Sequence, residues 1–280
     1  MSSSPDRFCY RCPGKYPSMM NPLTPDNLPR FRRFQAIMLL LLFLMTSLLI
    51  PISSPLSNIN GSKPAFNAIP FLENFLMSNG MEIGNSGQLI FVTNKDASFC
   101  QVTIYLLEKD GNIWRPAFPA FSGTIGTKGF APFDKKVEGD GKSPTGIFSL
   151  GTAFGSNPSI TTKMPYRQVK DDDFWIDDVH SPDYNRWVRG RPQAASMEKM
   201  KRKDGLYRHG IVIAYNMDPI VKGKGSAIFL HRWQEKGKST RGCVAVPEDQ
   251  LLRLLVWLDP AQHPLMIMGT ESDLKKRRLR

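Results

Sequence analysis

The sequence predicts a mainly-β domain, sandwich- or barrel-like, with one helix near its C-terminal end. Three observations carry this. Short runs rich in β-branched and aromatic residues recur between turn residues. The 22 Gly and 22 Pro of the 280 residues cluster beside those runs, which suits strands and turns better than a helical bundle. No helical pattern alternates with the strands, which excludes a doubly wound nucleotide-binding sheet. Lys222-Gly-Lys-Gly225 is not followed by a helix, so it does not read as a phosphate loop either.

Taken in order, Gln88 to Thr93 is the first strand, and Cys100 to Leu107 alternates faces with period two. Asp110-Gly111 is a hairpin turn toward Asn112 to Arg115. Further strands are expected at Gly146–Gly151, Gly210–Tyr215, Ser226–His231 and Leu265–Met268. The helix runs from Pro247 to Leu258, with proline in its first turn and Glu248 and Asp249 at its positive end. These elements bound a compact domain at residues 87–269, with no internal repeat.

The ends read differently. Arg30, Arg32 and Arg33 precede an apolar run from Ala36 to Ile50, followed by Pro51 and a Ser/Asn/Gly-rich stretch. This is the layout of an export signal, cleaved or kept as an anchor in the cytoplasmic membrane, and it places the rest of the chain outside that membrane. The run is shorter than the roughly 20 residues of a usual span, yet no clean cleavage site follows it. Residues 1–35 form an extension with Cys9-x-x-Cys12 and a second possible start at Met20. Residues 51–86 read as a linker with one short helical candidate, Phe71 to Met77, and residues 270–280 as a basic tail. The formal charge of +12 splits into +4 for residues 1–50, +3 for 271–280 and +5 for everything between. With no recognition motif in the mildly basic body, nucleic acid is not an expected partner.

Chemistry concentrates in Ser226-Ala-Ile-Phe-Leu-His231 and Ser239-Thr-Arg-Gly242-Cys243-Val-Ala-Val, with an 11-residue polar loop between His231 and Cys243. A histidine closes one strand and a Gly-Cys opens another, so pairing the two would bring imidazole and thiol together. An imidazole in reach takes the thiol proton and leaves the nucleophilic thiolate. Gly242 permits close approach of a substrate backbone, and the Gly242 and Cys243 amides are candidate oxyanion donors. Arg232, Lys238 and Arg241 flank the pair and favour a carboxylate-bearing substrate. Other readings stay open on these residues: a Cys100–Cys243 disulfide, a merely structural strand-end His231, or a zinc site that adds His209. Cys100 shares an apolar strand face with Val102 and Ile104, as a buried small hydrophobe would. The acidic cluster Asp171, Asp172, Asp173, Asp177 and Asp178 lacks the order of a calcium loop and reads as a solvated loop. Tyr184, Trp187, Tyr207 and Tyr215 are by default core residues.

The His231–Cys243 stretch resembles the signature of the L,D-transpeptidase catalytic domain, the YkuD family. There a strand histidine precedes Ser/Thr-x-Gly-Cys. Gly139-Asp-Gly-Lys-Ser-Pro-Thr-Gly-Ile-Phe148 resembles a second family segment, although on its own it reads as turn chemistry. Met164-Pro-Tyr-Arg and Tyr184-Asn-Arg-Trp187 are similar to words in an exported subgroup. The resemblance implies Cys243 as nucleophile, His231 as its base and the Arg232 main-chain carbonyl as orienter of the imidazole. Thr240, Arg241 and Gly242 fall in its oxyanion and substrate-binding region. It implies no metal and no organic cofactor. The implied reaction is acyl transfer on peptidoglycan stem peptides through a Cys243 thioester, cross-linking the wall or anchoring an envelope protein. Hydrolysis of the same bond by an L,D-carboxypeptidase or endopeptidase, and a non-catalytic wall-binding module, are the alternatives. Two departures touch substrate preference: Arg241 where the family commonly has His, and Ala245 where it commonly has Arg or Asn.

Overall fold

A computed structural model describes residues 70–275. The export segment at 36–50 and the Cys9/Cys12 pair lie outside the described residues. Among these residues the strands are β1 (Gln88–Asn94), β2 (Gln101–Asp110), β3 (Ile113–Thr124), β4 (Gly146–Gly155), β5 (Tyr166–Gln168), β6 (Asp173–Ile176), β7 (Trp187–Arg189), β8 (Met197–Lys199), β9 (His209–Ile213), β10 (Phe229–Arg232), β11 (Val244–Val246) and β12 (Leu265–Thr270). The helices are α1 (Pro70–Ser78), α2 (Gly80–Ile83), α3 (Glu248–Trp257) and α4 (Glu271–Leu274).

The main sheet runs β12-β1-β2-β3-β11-β10-β9-β4, and a further β12–β4 pairing closes it into an eight-stranded mixed barrel with β5 added to β4. Closure leaves the barrel strands without a free edge. Period-two alternation then sorts side chains between cores. On β1, Ile90 and Val92 join the interior with Val102, Ile104, Met266 and Met268, while Leu89 and Phe91 face a second cluster. The α3 leucines Leu251, Leu254 and Leu255 complete the first cluster. On β9, β10 and β11, Ile211, Leu230 and Val244 belong to that interior, whereas Val212, Phe229 and Cys243 lie in a third cluster.

That third cluster is covered by residues 156–208, inserted between β4 and β9. The insertion folds a small sheet of its own, β7-β6-β8. Trp175 meets Phe229 edge-on at 4.9 Å, and Tyr207 meets Phe229 at 5.5 Å. None of β5–β8 is expected from the sequence, because three- and four-residue strands are too short to show a period. The insertion also corrects part of the solvated-loop reading of the acidic cluster: Asp171 and Asp172 are exposed, but Asp173 and Asp177 are buried. Asp173 is fully buried and accepts from Arg167, Arg189, Trp187 Nε1 and the Lys170 amide.

The compact part begins earlier and ends later than residues 87–269. The helical candidate Phe71–Met77 falls within α1, and Phe71, Leu72 and Phe75 are buried against Phe91 and Ile267, so this part of residues 51–86 is packed helix rather than linker. Thr270 caps α4 through a reciprocal bond with Asp273, and Leu274 is buried. β3 extends to Thr124 through Pro116 and Pro119, facing a part of β2 where the register shifts, which is where a ladder tolerates proline.

Candidate active site

β10 and β11 are parallel neighbours in the register Leu230↔Val244, His231↔Ala245 and Arg232↔Val246. His231 and Cys243 therefore share the outer barrel face, offset by two residues, or about 7 Å along the strand. A parallel pair needs a crossover, and the short loop between these strands is held against the end of β3. Thr240 N donates to Ile125 O, Thr127 N to Thr240 O, and Thr124 Oγ1 to Lys238 O.

The His231 ring is buried, edge-on to Tyr207 at 5.4 Å. Its Nδ1 lies 2.7 Å from Arg232 O. A carbonyl only accepts, so Nδ1 carries the proton and Nε2 keeps its lone pair. Burial is the main influence on its basicity and pushes the pKa down to about 4, and nearby Arg202 adds to this against the Arg232 hydrogen bond and Asp204. The imidazole is thus neutral at pH 7 and competent as a base.

Cys243 is a free thiol. It is not joined to Cys100, which is buried as its apolar strand face implies. Cys243 Sγ donates to Ala227 O at 3.2 Å and accepts from Phe229 N at 3.4 Å. Ala227 adopts a left-handed backbone with φ 53°. Asn185 of the insertion supports this costly conformation by accepting from Ala227 N at 3.1 Å and donating to Tyr215 O and Asn216 O.

Gly242 has φ 149°, and a Cβ there would stand 2.9 Å from Lys142 O, so glycine is required. Its amide is not an oxyanion donor in this conformation: Gly242 N donates to Thr240 Oγ1 at 3.1 Å. Thr240 Oγ1 donates in turn to Cys243 O at 2.6 Å, so this side chain ties the loop that carries Cys243. Ser143 of the upstream motif donates to Gly242 O at 2.6 Å. Gly139, Asp140 and Gly141 line the same cavity as Cys243, so that motif is part of the site and not only a turn.

The cavity has a volume of about 310 Å³ and holds His231, Cys243, Gly242, Thr240 and Arg241 in its wall. Arg232 and Lys238 are absent from it. The Arg232 guanidinium turns to Glu248 on α3 at 3.6 Å, and Lys238 bonds Gln234, so only Arg241 of the three expected flanking cations reaches the site. His209 is also elsewhere, buried 4.0 Å from Glu248. No cluster of ligating side chains suited to a metal occurs among the described residues. Ala227 and Asn185 lie in stretches the sequence singles out, but nothing in the sequence shows the contacts of Ala227 with Asn185 and with Cys243, and Ser143, Tyr184 and Tyr207 read from sequence as turn or core residues.

A closed mixed barrel carries, on one outer face beneath an insertion, a free thiol and a buried neutral imidazole. That defines a β-barrel domain of cysteine–histidine type. The L,D-transpeptidase catalytic domain family (YkuD) matches residues 90–270, and the chain belongs to this family. Among solved structures, the helical cell shape determining protein Pgp2 from Campylobacter jejuni is similar at 16% identity, with a TM-score of 0.34. The match covers 70% of this chain and 58% of that one, so the chain spans less than two thirds of that neighbour. No curated protein matches.

Proposed function

We propose that this protein is an exported cysteine acyltransferase of the cell envelope that acts on peptidoglycan stem peptides through a Cys243 thioester. Family membership supports activity on peptidoglycan. One observation carries the finer reading: the 2.7 Å bond from His231 Nδ1 to Arg232 O leaves Nε2 unprotonated on the barrel face that bears the free thiol.

At rest the thiol donates to Ala227 O. Reaction begins when the thiol hydrogen turns from that carbonyl to His231 Nε2, which takes the proton. Phe229 N still donates to the sulfur as negative charge forms there. The sulfur attacks the carbonyl joining the third stem residue to its terminal D-Ala. As the tetrahedral adduct collapses, the imidazolium returns its proton to the departing nitrogen and D-Ala leaves as an amine. The thioester then meets an amine of a second stem or of an envelope protein. His231 takes that proton as the amide bond forms, and the sulfur leaves as a thiolate that recovers the proton from the imidazolium, restoring the resting pair. Ser143 and Thr240 hold the loop so that Cys243 stays in place throughout.

Incubating the full chain with a tetrapeptide stem tests this. The expected result is released D-Ala and a protein mass raised by the tripeptide acyl group, with neither in Cys243→Ala. Release of D-Ala by Cys243→Ala, or no release by the unaltered chain, would overturn it.

A further inference from the structure

We propose that Lys128 and Arg241 form a carboxylate clamp at the mouth of the Cys243 cavity, which restricts the site to stem peptides ending in a free carboxylate. This rests on the acyl-transfer reading and specifies which stems that site accepts.

The charged side chains of the cavity wall divide by what they touch. Lys136, almost fully buried, pairs with Asp140 at 2.7 Å. Arg202 pairs with Glu198 at 3.1 Å and with Asp204. Glu138 accepts the hydroxyls of Tyr184 and Ser226, each at 2.6 Å. Lys128 and Arg241 differ. Both are exposed, both line the cavity, and neither has an acidic partner among the described residues. Asp177 also lines the wall and is buried, so what sets Lys128 and Arg241 apart is that neither is held in an ion pair among the described residues, while Lys136 and Arg202 are.

Both side chains start from a fixed backbone. Gly126 and Thr240 form a parallel bridge; Arg241 follows Thr240 directly, and Lys128 lies two residues beyond Gly126. Lys128 N donates to Gly141 O at 3.0 Å, and its stem runs beside Gly141, where a Cβ would lie 3.8 Å from Lys128 Cγ and Cδ. Arg241 sits between Thr240, which binds Gly242 N and Cys243 O, and Gly242, whose carbonyl Ser143 holds. A guanidinium fork and an ammonium rooted in this way fit a carboxylate, the first by paired hydrogen bonds and the second as a point charge.

The stereochemistry of the reaction says which carboxylate. With the attacked carbonyl at Cys243 Sγ, the terminal carboxylate of the leaving residue lies one residue beyond it, within about 3.5 Å of extra chain. Arg241 stands two residues from the nucleophile. A stem whose terminal carboxylate is already tied up in an amide presents no anion there, so the clamp favours removal of a terminal residue over cleavage inside a cross-link.

The test compares a tetrapeptide stem with its C-terminal amide, for the unaltered chain and for Lys128→Ala, Arg241→Ala and the double variant. Two readouts are used: turnover, and calorimetric binding in a Cys243→Ala background. The clamp predicts a preference for the free acid of about tenfold in kcat/KM, a size that allows for solvent screening of exposed charges. Each single variant should raise KM for the acid several-fold with little change in kcat, and the double variant should treat acid and amide alike. Turnover with no acid preference, or a preference that survives in the double variant, overturns the clamp and leaves the acyl-transfer reading standing. Acid-selective binding lost in the double variant, without turnover by the unaltered chain, supports the clamp and overturns acyl transfer. Absence of both overturns both.

Discussion

Acidification separates a buried base from an ordinary one. His231 is held near pKa 4, chiefly by burial beneath Tyr207 and its neighbours, against 6.5 for a free imidazole. At pH 5 about nine-tenths of it remains neutral, where an ordinary imidazole would be only about 3% neutral. Because the resting thiol is protonated and donates to Ala227 O, the acid limb of kcat/KM reports the imidazole. Activity on a stem peptide should then fall by about a tenth between pH 7 and pH 5 and halve near pH 4. The same shift appears in stability with a definite sign. The folded pKa lies below the unfolded one, so the unfolded chain binds the proton first and stability declines as pH falls from 6.5 to 4. Charging the ring in place costs about 3 kcal/mol in all. The assay is kcat/KM from pH 4 to 8 at constant ionic strength, with denaturant midpoints over the same range. Tyr207→Phe keeps the covering ring and should leave the limb where it is, whereas Tyr207→Ala admits water and should move it toward 6.5. A limb centred near 6.5 in the unaltered chain would refute the reasoning.

Cys243→Ala should abolish acyl transfer, and His231→Ala should reduce it by about 10²–10⁴-fold, the contribution of a positioned base; D-Ala release measures both. Thr240→Val removes the hydroxyl that joins Gly242 N to Cys243 O and should cost about 1–3 kcal/mol in a denaturant titration, with a lower kcat; an unchanged midpoint would deny it a tying role. Asp173→Asn should destabilise by about 1–3 kcal/mol, a range kept modest because its arginine partners are partly exposed. Burial alone would raise the Asp173 pKa, but hydrogen bonds from Arg189, Lys170 N, Trp187 and Arg167 outweigh it and hold it at about 2. Its contribution is complete above pH 3.8 and lost as pH falls through 2, so the variant should lack that part of the acid transition.

The barrel was legible where strands are long enough for a pattern to show, as in Gln88–Thr93 and in the period-two alternation of Cys100–Leu107. The thiol and imidazole were legible from the short apolar runs beside them, since a histidine ending one run and a cysteine opening the next fall together once the strands pair. Legibility stopped where structure depends on side chains from distant segments. Nothing in Ser239-Thr-Arg-Gly-Cys243 says that the threonine hydroxyl takes the Gly242 amide, because that bond depends on how the loop folds back. The α1 residues Phe71, Leu72 and Phe75 are too few to outweigh the Ser, Asn and Pro around them, so their burial shows only when β1 and β12 are in place.

The insertion shows why reading a residue as core and reading it as functional are not rival accounts here. Tyr207 and Trp175 are core residues by size and burial, and the structure keeps them so. Yet the cluster they fill contains Cys243 itself and Phe229, whose amide donates to the Cys243 sulfur. The same packing excludes water from His231 and thereby sets its basicity. Asn185, from the same insertion, holds Ala227 in the left-handed conformation whose carbonyl receives the resting thiol. Loosening the insertion would therefore change proton affinity and thiol orientation before it unfolded the barrel. Activity should be the more sensitive measure of that small sheet's integrity.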